Sequence, residues 1–169
     1  MKWIAISGSW RKTSEEVEND VRQMVKDIIA RGDGIVTGGA LNVDSFATDE
    51  ALKVDPEAKQ IKVCLPVILK RYAAHYRKRA DEGVITHAQA EELIALLTRL
   101  KEANPDALVE NKKNTVVDKT TYYERNSRVM ELSDELVAFK VNDSEGVQDT
   151  VDKARSDGKP VHLKKYQVN

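Results

Sequence analysis

The sequence contains one cysteine, Cys64, so no internal disulfide can form and a reducing, intracellular home is the expectation. It also lacks a long apolar run. The stretch from Trp3 to Ser7 follows a single basic residue and is too brief for a signal-peptide core or a membrane span. The expected address is therefore the cytoplasm, with no membrane partner. There is no excess of charge either: 27 Lys and Arg stand against 28 Asp and Glu, a net charge of −1. The molecule as a whole is not drawn to polyanions, and any nucleic-acid contact has to come from a local basic patch.

Several catalytic signatures are missing as well. There is no G-x-x-x-x-G-K-[ST] for a P-loop NTPase, no G-x-G-x-x-G dinucleotide turn and no G-x-S-x-G elbow. The three histidines, His75, His87 and His162, lie far apart without metal-ligand spacing, so no metal is expected. Cys64 sits inside an apolar strand, where an inert buried thiol is the expectation. No cofactor is expected beyond a nucleotide bound as ligand.

What is present reads as one domain. At 169 residues, with 41% of them hydrophobic and 33% charged, the chain is long enough to bury a core and too apolar for disorder. The apolar run Trp3 to Ser7 ends at Gly8, as a buried parallel strand does. Thr13 to Glu16 spells a T-x-x-E capping box, and Val17, Val21, Met24, Val25, Ile28 and Ile29 follow at helical spacing until Gly32. A strand over Ile35 to Thr37 runs into Gly38-Gly39. A helix follows from about Val43, and a third strand, Ile61 to Leu65, ends at Pro66.

The middle is less regular. Lys70 to Ala80 reads as a basic helix and Thr86 to Glu102 as a longer one, with Ala90, Leu93, Ile94, Leu97 and Leu100 on one face. Ala107 to Glu110 reads as a fourth strand, and Asn111 to Lys119 as an exposed loop. Then come a helix over Tyr122 to Leu132, a strand over Glu135 to Val141, a helix begun by Ser144 and a strand over Pro160 to Leu163. Alternating strands and helices predict an α/β fold, a Rossmann-like three-layer sandwich with a mainly parallel sheet. The stretch at about 68–105 reads as a helical insertion in a single 1–169 domain.

In a doubly wound sheet, ligands bind beyond the carboxyl ends of the strands. Three segments join a strand end to a helix start: Gly8-Ser9-Trp10-Arg11, Gly38-Gly39-Ala40 and Asn142 to Gly146. Free backbone N–H groups and the positive end of a helix dipole favour an anion at such places. Ser9 and Ser144 offer hydroxyls, and Arg11 a forked charged donor. The alternative is that these glycines simply make tight turns.

Gly38-Gly39-Ala40-Leu41-Asn42-Val43-Asp44, continuing through Ala47 to Ala51-Leu52, resembles the glycine-rich turn, aspartate and alanine-containing helix of the DprA/Smf DNA-processing family. That family belongs to the SLOG group of Rossmann-like proteins. Ile6-Ser7-Gly8-Ser9 with Arg11 is similar to its opening G-S-R motif, displaced by Trp10. Arg125-Asn126 with Arg128 resembles its R-N-R segment. Ser144, Gly146, Thr150 and Ala154 match a further S-G-x-x-x-T-x-x-x-A pattern, with Glu145 as an extra residue. The resemblance covers residues 3 to 65 and 122 to 164. It implies a DNA-processing function and a nucleotide or single-strand phosphate pocket lined by Gly8, Ser9, Gly38, Gly39, Arg125, Asn126, Ser144 and Gly146. Asp44 has an alternative role as a helix cap, and Arg125 as a partner of Glu124 or Glu131 on a helix surface.

Two other functions stay open. The SLOG group includes LOG-type hydrolases that release the base from nucleoside 5′-monophosphates, using the signature P-G-G-x-G-T-x-x-E. Aligning Gly146 with the last glycine of that signature puts Thr150 where the glutamate belongs, and a threonine cannot carry the charge. Glu124 is then the candidate substitute. The third reading is a sensor whose bound nucleotide regulates a partner. For nucleic acid, Tyr72, His75, Tyr76 and Arg79 share one face of the basic helix, with Arg77 beside them, as a stacking and phosphate surface requires. The bland alternative is that these tyrosines pack and the charges are solvated. Thr86 to Leu100 is a candidate homodimer surface by analogy with related folds.

Overall fold

The computed structural model describes residues 1–169. Strand β1 (Trp3–Gly8) buries Ile4, Ala5 and Ile6 completely, as a continuous apolar run does when both faces of a parallel sheet are covered. Strands β2 (Gly34–Thr37), β3 (Ile61–Cys64) and β5 (Glu135–Val141) behave alike, while β4 (Leu108–Val109) and β6 (Val161–Tyr166) close the edges. The sheet order is β4-β3-β2-β1-β5-β6, and every pairing is parallel. The α/β, Rossmann-like architecture is thus as expected, with a sheet that is wholly parallel.

Side chains alternate across each strand and so feed two separate layers. Ile4, Ile6, Ile35, Ile61, Val137 and Phe139 face α1 (Glu15–Ala30) and α2 (Val43–Val54), forming a core of 29 buried residues. Ala5, Val36, Cys64, Leu136 and Ala138 face α5 (Lys119–Glu131) and α6 (Glu145–Ser156) in a thinner core of 10. Small residues on that side let two helices lie close to the sheet.

Residues 68–105 fold as α3 (Leu69–Asp81) and α4 (His87–Ala103), the crossover from β3 to β4. They belong to the main core: Tyr72, Tyr76, Leu93, Leu97 and Leu100 are all buried within it. The apolar face of α4 is therefore covered by the chain's own residues. No helix is long and apolar enough to cross a membrane.

Helix ends follow local chemistry. The cap of α1 is Ser14, whose oxygen accepts from the Val17 N–H at 3.2 Å. Thr13 is one residue too early to reach that amide, and its hydroxyl is buried without a partner. Helix α5 begins at Lys119, three residues before the apolar pattern, because Asp118 and Thr121 form a reciprocal capping box.

Candidate functional site

From the central strand β1 the chain first builds outward through β2, β3 and β4, then returns to place β5 on the other side of β1. Crossovers leave in opposite directions there, so a crevice has to open beyond the carboxyl ends of β1 and β5. A cavity of about 810 Å³ occupies it. Its walls come from residues 8–12 after β1, from Gly38, Ala40 and Asp44 after β2, and from residues 141–147 after β5 and into α6. The first turn of α5 and the far end of α3 complete it.

The three loops are braced against one another. Ser9 Oγ accepts from the Val141 N–H at 3.0 Å and donates to the Val141 carbonyl at 3.2 Å. Asn42 Nδ2 donates to the Trp10 carbonyl. Asp44 Oδ2 accepts from the Gly38 and Ala40 amides, both at 3.2 Å, and the Tyr72 hydroxyl donates to the Gly39 carbonyl at 2.9 Å. Gly39 needs to be glycine: its φ is +71°, and a Cβ would stand 2.6 Å from Leu65 Cδ2. A Cβ on Gly38 would lie 2.7 Å from Arg125 Cζ, so this glycine makes room for the guanidinium.

Arg125 is the electrostatic centre of the cavity. It donates through Nη1 to the Gly38 carbonyl and through Nε to Asn126 Oδ1 at 3.0 Å. Nη2 is left without a protein partner, in a residue that lines the cavity. Burial works against its charge, but Tyr72 and Asp44 more than offset this and hold its pKa above the usual arginine value. Burial pushes the Asp44 carboxyl up, against the pull of Arg125 and the two amides. Arg11, Lys12, Arg79 and Lys119 add further cations to the lining, while Asp118, Asp143 and Glu145 add carboxylates. Of these, Asp118 is occupied in capping α5, and Glu145 lies 3.9 Å from Lys119.

Of the expected residues, Gly8, Ser9, Arg11, Gly38, Ala40, Asp44, Arg125, Asn126, Ser144, Gly146 and Thr150 all line this one cavity. Several have duties inside the protein. Ser9 is bonded twice to Val141, Asn126 Nδ2 donates to Asp149 at 3.1 Å, and the Thr150 hydroxyl donates to the Gly146 carbonyl at 3.2 Å. The Ser9 hydroxyl is thus a brace, which corrects its reading as a ready donor. Ser144 caps nothing with its side chain, and Gly146 has open space around it, so the first turn of α6 faces the cavity unobstructed. Gly39 sits just behind the wall.

The aromatic face of α3 is a correction. Tyr72 and Tyr76 are 1% and 5% exposed, with hydroxyls 3.3 Å apart, so neither offers a ring to a base. Their shared face turns inward because the Gly39 carbonyl gives Tyr72 a buried partner. Arg77 lies outside the cavity and pairs with Glu91 at 2.9 Å; Arg79 lines it but pairs with Glu82 at 3.0 Å. Glu124 is exposed, outside the cavity, and accepts from Asn114 Nδ2 at 2.8 Å, so it is not placed as the carboxylate of a hydrolase. Sequence reasoning missed Lys12, Lys119, Tyr122 and Tyr123 as lining residues. A signal existed for some of them, since a crossover helix starts at the rim and its first turn is bound to lie there.

Fold and cavity together define a Rossmann-like α/β domain with its crevice at the strand-order reversal. The chain belongs to the DNA recombination-mediator protein A family, whose sequence model matches residues 1–169. Two solved structures share its fold. One is DNA processing protein A from Helicobacter pylori, described for its single-stranded DNA binding mode, with a TM-score of 0.73 at 20% identity; the match covers 99% of this chain and 67% of that one. The other is DNA processing protein A from Streptococcus pneumoniae, with a TM-score of 0.51 at 14% identity, covering 95% of this chain and 58% of that one. No curated protein sequence matches the chain.

Proposed function

We propose that the domain is a DNA-processing module of the cytoplasm that holds a phosphate of single-stranded DNA in the rim cavity. The observation that carries this reading is Arg125, a partly buried cation with one nitrogen unpartnered, set among three braced loops. An anion there meets the guanidinium and the exposed Arg11, which favour negative charge, and the backbone N–H groups at the start of α6, beside the carboxylates of Asp143 and Glu145. Membership of the DNA recombination-mediator family and the single-strand binding of the Helicobacter pylori protein support the same class of ligand. A second ligand, a free nucleotide, is supported by volume alone: about 810 Å³ lies within the range of small-molecule sites.

The test is the binding of a labelled single strand, followed by fluorescence anisotropy across a salt series. Affinity should fall as salt rises, and Arg11→Ala should reduce the slope of log K against log salt by about 0.7, one phosphate's worth. Arg125→Lys should weaken binding by about tenfold or more, because an ammonium cannot hold Gly38 and a phosphate in the same fork. Salt-independent binding, or no effect of either substitution, would refute the assignment. Thermal stabilisation by a nucleoside monophosphate without strand binding would favour the sensor, and release of free base the hydrolase.

A further inference from the structure

Helix α6 opens onto the cavity without a side-chain cap, so the turn that leads into it has to be fixed at its start, at Asn142. This residue has a φ of +55°, in the left-handed region that asparagine tolerates better than most. Its N–H donates to the Tyr166 carbonyl at 2.9 Å, one step beyond the Val141–Tyr166 pairing of β5 with β6. Its side chain then pairs with the Val168 backbone at two points. Nδ2 donates to the Val168 carbonyl and Oδ1 accepts from the Val168 N–H, both at 3.0 Å. A side-chain amide carries a donor and an acceptor as a peptide group does, so it continues the ladder where the main chain has turned away. The segment it grips is itself anchored. The Tyr166 hydroxyl donates to Asp20 Oδ2 on α1 at 2.7 Å, its ring stacks on Phe139 with centres 6.3 Å apart, and Val168 packs on the main core.

We propose that Asn142 is a positioning residue for the phosphate site, clamping the turn into α6 to the segment after β6. This rests on the phosphate assignment above. Residues 143–147 bring to the cavity backbone N–H groups that attract an anion and the carboxylates of Asp143 and Glu145 that repel one. The setting of this turn thus decides the field a phosphate meets, and the clamp holds one setting. The Asn142 amide is spent on Val168, so it acts through the turn rather than on the ligand. Glycine would make the same turn without the grip, and aspartate lacks the donor.

Two substitutions in the full chain cut the clamp from its two sides. Asn142→Gly keeps the left-handed turn and removes the side-chain pair, while Val168→Pro removes the N–H. Each should weaken a labelled homothymidine strand by about threefold to tenfold, because apparent affinity falls with the fraction of molecules whose turn is in place. The double variant should bind no worse than the weaker single one, and the salt slope should stay that of the wild type, since no cation is lost. Val168→Ala keeps the backbone groups, so it should lower the melting temperature yet leave affinity unchanged. A merely structural role would not separate the two. Amide exchange over residues 143–147 should quicken in Asn142→Gly, which decides the matter alone if Val168→Pro does not fold. Wild-type affinity or unchanged exchange in Asn142→Gly would overturn the clamp. So would a loss that Val168→Pro does not share, or affinity that merely follows melting temperature across the variants. In each of these cases salt-dependent binding by the wild type leaves the phosphate assignment standing. Failure of the wild type to bind the strand would overturn both.

Discussion

The loops after β1, β2 and β5 are tied to one another by side chains that reach across to backbone, whereas helix α3 meets the rim mainly through one tyrosine hydroxyl and pairs two of its cations with neighbouring glutamates. Both regions are rich in polar residues. In the loops, polar groups fix the positions of others, so that one guanidinium nitrogen is left facing the cavity. Along α3, Arg77 and Arg79 have carboxylate partners at 2.9 and 3.0 Å, while the tyrosines are core. Density of charge in the chain is therefore a poor guide to where a ligand is met; a charge held in place and left unpaired is a better one.

The strongest way to break this contrast is to remove the brace that faces Arg125. Asp44→Ala leaves two buried amides without their acceptor, and should cost about 3 kcal/mol in chemical denaturation. Asp44→Asn, which keeps an acceptor, should cost less. A loss below about 1 kcal/mol for the alanine variant would mean that the rim does not depend on this brace.

A second test asks how far the cationic field of the cavity extends. Burial pushes the Cys64 thiol up to about 12 from its ordinary 9.0, although Arg125, Arg128 and Lys62 pull it down. The folded state then holds this proton more tightly than the unfolded one, so its contribution to stability is intact below pH 9 and lost as pH rises towards 12. Stability should fall there by about 1.4 kcal/mol per pH unit, and Cys64→Ala should flatten that part of the curve. Rapid modification of the native thiol at neutral pH would show instead that the cations win. The smallest expected effect is on the α3 side. Arg77→Ala should change single-strand affinity by about twofold or less, since that charge is exposed, paired and away from the cavity. A tenfold loss would move the binding surface onto α3.

Much of this was legible in the chain. Apolar runs located the strands, with β5 falling on Glu135–Val141 as read, and the glycine-containing loops after β1, β2 and β5 were placed together by topology alone. Helical spacing showed that Tyr72 and Tyr76 share a face, but spacing carries no information on which side that face turns. Only the Gly39 carbonyl, 33 residues away, settles it. The Arg77–Glu91 pair bridges two helices, and no local pattern announces such a partner. Ser9 looked like a ligand donor because its partner, Val141, belongs to a strand much later in the chain.

That last bond reaches across 132 residues. The mouth of the cavity thus depends on the β1–β5 pairing: Ser9 has nothing to grip unless β5 lies beside β1. Closing so long a loop carries an entropic toll that grows only slowly with length, but it makes the finished pocket a certificate of a completed sheet. A partly folded chain would display the glycine turns and lack the grip.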